Sequence, residues 1–160
     1  MRFLELNEIA DWCAEHGIAI DDDWKLVQPP SMKVIEHCVY ASGASAGREP
    51  AIAGRLLRRL GEWTECLLWV VQWGVWPSTE DWPAYYAARG AHGERRSLQD
   101  APGHLFGPAD GEELVQFLAM VLSYAWHTEV LPTVDKRPSS RRLFVSHDEW
   151  AEVREISSVK

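Results

Sequence analysis

No stretch of this chain approaches the roughly 20 consecutive apolar residues that a membrane-spanning helix requires. The longest apolar run, 66–76, is too short and is broken by Gln72 and Gly74. The opening MRFLELNE lacks the apolar core of a secretory leader, so none is expected. Cysteine is scarce, with three residues, Cys13, Cys38 and Cys66. That is an odd number in a chain of 160 residues, long enough to bury a core without covalent staples. They read as buried thiols of a reducing compartment, and a cytoplasmic location is the expectation. Positive charge is also in short supply, with 16 Lys and Arg against 24 Asp and Glu and a net charge of −8. Surfaces that bind nucleic acid draw much of their affinity from neutralising phosphates, so this balance argues against such a target. It is compatible with an electropositive macromolecular partner.

Tryptophan, by contrast, is abundant. Nine occur, at 12, 24, 63, 69, 73, 76, 82, 126 and 150, four of them within 63–76. Tryptophan serves both core burial and interface hot spots, so the count favours a packed core together with a recognition surface.

Residues 4–16 carry Leu6, Ile9 and Cys13 at helical spacing, followed by Gly17 as a stop. Residues 33–41 are rich in Val, Ile and Tyr between Pro and Gly, which predicts a strand. After a small-residue loop over 42–47, Ile52, Leu56, Leu57 and Leu60 form the stripe of an amphipathic helix over 50–60. Residues 67–71 read as a strand buried on both faces. Asp81 then caps a helix to about Arg89, with Pro83 tolerated in its first turn. No period runs through 90–109, where Gly and Pro recur, so a long ordered loop is expected there.

Asp110 and Glu113 resemble a capping box opening a central helix over 110–126, and strands follow at 128–131 and 142–145. Ser146 and Glu149 suggest a second capping box and a short last helix to about Arg154, before a fraying tail over 157–160. The strands and helices do not alternate regularly. The expected fold is α+β, one domain over 1–160, with a small mixed or antiparallel sheet covered by about five helices.

Several constellations invite a chemical reading. Cys13, His16, His37 and Cys38 could suggest zinc, but adjacent strand side chains point to opposite faces, so no metal is expected. The 43–48 loop has three residues between its glycines, then Arg48-Glu49, which does not satisfy a phosphate-binding P-loop. Residues 146–149 are too close in sequence to converge as a triad.

The 90–109 loop is the stronger place for a site, with Arg95, Arg96 and His104 as contacts for an anion or a proton-transfer step. Trp73, Trp76 and His147 complete this candidate binding set, and no cofactor and no catalytic residue is assigned. On a strand, Trp69 and Trp73 would share a face and Trp76 would lie on the other.

The segments WGVWPSTEDWPAYYAARGAHGERRSLQDAPGHLF, YAWHTEVLP and LFVSHDEW resemble a family of small uncharacterised bacterial proteins, over about half the chain. That resemblance implies recurrent APGHLF and SHDEW structural parts and brings no activity. In size and acidity the chain is similar to small bacterial immunity proteins. The resulting expectation is a non-catalytic protein-binding module of the immunity or adaptor kind. The alternative is a small enzyme or ligand-binding protein using the 90–109 loop.

Overall fold

The computed structural model describes residues 1–42 and 47–156. The loop weighed as a phosphate site falls mostly in 43–46 and the expected fraying tail in 157–160, both outside the described residues. Among the described residues four α-helices form: α1 (Leu6–Glu15), α2 (Glu49–Leu60), α3 (Trp82–Ala91) and α4 (Gly111–Tyr124). They combine with β1 (Arg2–Leu4), β2 (Met32–Val39), β3 (Glu65–Gln72), β4 (Gly103–Phe106), β5 (His127–Val134), β6 (Arg137–Pro138), β7 (Arg141–Ser146) and β8 (Trp150–Ile156). The fold is single-domain α+β, but its eight-stranded antiparallel sheet is larger than expected and its helices are fewer than five.

The strands are ordered β1-β4-β3-β5-β7-β8-β2, and β6 pairs with β5. Side chains on alternate strand positions divide the sheet into two faces. One face carries most of the helical cover. Leu68 and Val70 of β3, Val130 of β5, Leu143 and Val145 of β7, and Ala151 and Val153 of β8 pack there against α2, α3 and α4. Helix α4 contributes Leu114, Phe117, Leu118, Val121 and Leu122, its 3.6-residue stripe, all buried. Each such side chain contributes about 2 kcal/mol by leaving water.

The other face is covered over half its width. Leu4, Leu67, Trp69, Leu105 and Leu131 pack beneath Ile9, Trp12 and Cys13 of α1 and beneath Ile18 and Leu26. Helix α1 approaches so closely that a Cβ on Gly103 would lie 2.9 Å from the Ile9 side chain. Glycine at that position is what allows β4 and α1 to meet.

Two segments depart from expectation. Within 90–109, Gly103–Phe106 is β4, a strand inside the sheet between β1 and β3. All four of its residues are buried, so it shows no alternation, and Pro102 and Pro108 flank it. The final helix is instead strand β8, paired with β7 and β2. Ser146 Oγ accepts from the amide of Asp148 rather than of Glu149, and Glu149 takes φ 63° in a tight turn. Asp110 likewise does not cap α4 with its side chain, which accepts instead from the Gly107 amide at 2.7 Å.

Candidate functional site

The uncovered half of the second face is built by β5, β7, β8 and β2. Cross-strand pairing places Glu129 opposite Phe144, Phe144 opposite Glu152, and Trp150 opposite Val39. Their alternate neighbours on β7 and β8 lie in the helix-covered core, so this set faces away from α2 and α4. Aromatic rings run across it in contact. His37 stacks on Trp150 at 5.9 Å between ring centres, and Trp150 meets Phe144 at 5.2 Å. Phe144 meets His127 edge-on at 4.7 Å, and His127 lies 6.1 Å from His147. Trp76 closes the row by donating its indole N–H to the His147 carbonyl at 2.8 Å.

Beside this strip opens a cleft of about 440 Å³, between the sheet and the turn of residues 21–28. Trp24, Trp69 and Phe144 supply its aromatic lining, and Lys25, Gln28, Gln72, His127 and Glu129 supply polar groups. The turn that carries Trp24 is held locally, because Asp21 Oδ1 accepts from the amides of Asp23 and Lys25. It holds Trp24 at φ 59°, a conformation a bulky residue rarely takes, and leaves the residue 37% exposed.

Glu129 is 8% exposed, and its carboxylate enters none of the hydrogen bonds or ion pairs formed among the described residues. Burial raises its pKa to about 7, against the weaker pull of Arg154 and Arg142. Arg142, diagonal to Glu129 on β7, is equally withdrawn, and its Nη1 has no partner among the described residues. Arg154 is engaged elsewhere, 2.8 Å from Glu152 and 4.7 Å over the Phe144 ring. Burial also lowers the His127 pKa, helped by His147 and Arg154, which favours its neutral ring.

No family model, curated protein or solved structure matches this chain. The functional reading therefore rests on the geometry of its own residues.

The six sequence-predicted site residues do not converge. Trp76 and His147 meet at the end of the aromatic strip. Trp73 packs against the helix-covered core, whereas Trp69 lies on the other face. The register shift between Val70 and Gln72 breaks the alternation that would have put them together. Arg95 is exposed and does not line the cleft, and its backbone amide donates to the Glu94 carboxylate. Arg96 is spent inside the chain, on Glu94 at 2.6 Å, Glu5 at 2.9 Å and the Phe3 carbonyl at 3.0 Å.

His104 is fully buried on β4. Arg89 donates to the Tyr85 hydroxyl at 2.8 Å, and that hydroxyl is hydrogen-bonded to His104 Nε2, also at 2.8 Å. Burial, and then the positive Arg89, hold the His104 pKa down to about 3, so the ring is neutral. Cys13 on α1, His16 at its C-terminal cap and His37 on β2 are on the second face, while Cys38 packs into the helix-covered core. No group of three or more metal-ligating side chains gathers among the described residues. No helix there is long and apolar enough to cross a membrane.

Proposed function

We propose that the protein is a non-catalytic binding module, of the immunity or adaptor kind, that captures an electropositive protein partner on the half-open face of its sheet. The observation that carries this reading is the contrast in cover. Leu143, Val145, Ala151 and Val153 are wholly buried under helices, while Val39, Trp150, Phe144 and His127 on the opposite face form a continuous apolar and aromatic surface that remains partly in water. Val39 is 74% exposed and Trp76 49% exposed, and rings of this type are the usual anchors of protein interfaces. The net charge of −8 favours a basic partner through steering at low salt. A ligand site on the 90–109 segment is less favoured, because Arg96 and His104 are already engaged by the chain itself.

The test is an affinity capture from the native host at physiological salt, comparing the wild type with Val39→Arg, Trp76→Ala and Arg58→Ala. A stoichiometric protein held by the wild type and by Arg58→Ala on the helical face, and lost with the other two, supports the reading. A partner retained by all four chains would place recognition elsewhere.

A further inference from the structure

We propose that the cleft over Glu129 receives one arginine side chain of that partner, its guanidinium paired with the Glu129 carboxylate and flanked by Trp24, Trp69 and Phe144. This rests on the binding-module reading and adds the chemistry of the group received. The cleft volume of about 440 Å³ falls within the range of about 300–1,000 Å³ usual for small-ligand sites. Glu129 is the acidic residue among its lining, more than nine-tenths buried and unpaired among the described residues. A largely buried carboxylate without a bonded donor is costly, and the through-space pull of Arg154 and Arg142 offsets that cost only in part.

The cations nearby do not take the role. Lys25 extends into water toward Asp23 at 3.6 Å, and Arg154 is held by Glu152 and the Phe144 ring. Arg142 approaches Glu129 from the next strand but forms no ion pair with it and does not line the cleft. An anionic ligand would meet Glu129 unfavourably, and a neutral apolar one would bury it further. A planar guanidinium stacks on aromatic faces, donates in pairs to a carboxylate and leaves water more readily than an ammonium.

The experiment titrates the tripeptide amide acetyl-Gly-Arg-Gly into the purified full chain at pH 7.5, read by tryptophan fluorescence and by amide resonances of β5 and residues 21–28. Matched peptides carry lysine or the neutral isostere citrulline. The expected result is saturable binding, about ten-fold weaker for citrulline and about ten-fold weaker in Glu129→Gln, with lysine intermediate. Trp24→Gly, at an exposed turn, shows the same loss if Glu129→Gln does not fold. Equal binding of arginine and citrulline, equal binding by the wild type and Glu129→Gln, or no saturable shift at millimolar peptide overturns the proposal. A host partner captured equally by the wild type and Glu129→Gln would leave the binding-module reading standing and overturn the arginine seat alone.

Discussion

Arg89 beneath the helical cover and Glu129 on the half-open face are both withdrawn from water, yet among the described residues only the first has hydrogen-bond partners, made through its Nη atoms while its Nε has none. Arg89 donates to the Tyr85 hydroxyl and to the carbonyls of Ala101, Ser97 and Arg96, and it lies 4.7 Å over the Phe3 ring. Its charge is dispersed over backbone dipoles and an aromatic face, which fastens the irregular 92–102 segment to α3. Glu129 has no such set of partners. A buried charge that organises a fold is satisfied by the fold, whereas one left open beside an aromatic cleft fits a donor that comes from outside.

The comparison can be broken first at Arg89. Arg89→Leu strips several buried acceptors of their donor, and it should lower unfolding free energy by about 4 kcal/mol in urea denaturation. A loss under about 1 kcal/mol would mean that this network is not structural.

The second test concerns pH. Glu129 titrates at about 7 in the fold against an ordinary value of 4.5, so between those values the folded chain holds a proton that the unfolded chain has released. Stability therefore falls as pH rises through this window, by about 3 kcal/mol at 1.36 kcal/mol per pKa unit, and the loss is complete above about 7. Glu129→Gln should lack this decline and exceed the wild type in stability at pH 8. Denaturation curves from pH 4 to 8 on both chains check it.

A smaller effect sharpens the contrast within the second face itself. Gly103→Ala forces a methyl against Ile9 and Leu4 under α1 and should cost about 2 kcal/mol, with the cleft unaffected. The smallest change in stability belongs to Trp24→Gly. Relief of the positive φ offsets the lost packing, so the thermal midpoint should shift by the equivalent of less than about 1 kcal/mol while partner capture fails.

Periodicity made much of this architecture readable. The stripes of Leu56, Leu57 and Leu60, and of Leu114, Phe117, Leu118 and Val121, lie where 3.6-residue spacing puts them, inside the core, with Ile52 partly buried against it. The errors have local causes. Strand β4 is four residues between prolines with no exposed position to mark a period, so breakers outweighed it. In 150–156, the alternation of Trp150, Glu152 and Arg154 with Ala151 and Val153 was present, but the capping-box pattern at Ser146 and Glu149 competed with it.

The cleft was illegible for another reason. Glu129 in the run HTEVLP reads as a solvent-facing strand residue, and nothing local shows that β3 and β7 enclose it. Trp24 sits in a run of acids that reads as a solvated turn, yet its ring returns over the sheet. Only the antiparallel order β3-β5-β7 brings Trp69, Glu129 and Phe144 side by side.

The most direct measurement is the titration of the Glu129 side-chain carboxyl by carbon-detected NMR, in the free chain and with saturating acetyl-Gly-Arg-Gly amide. A midpoint of about 7 that falls by more than about one unit with the peptide is the expected result, because a paired guanidinium stabilises the ionised form. A free-chain midpoint at the ordinary 4.5, or one of about 7 that the peptide does not move, would contradict the claim that Glu129 is a buried charge awaiting a cation.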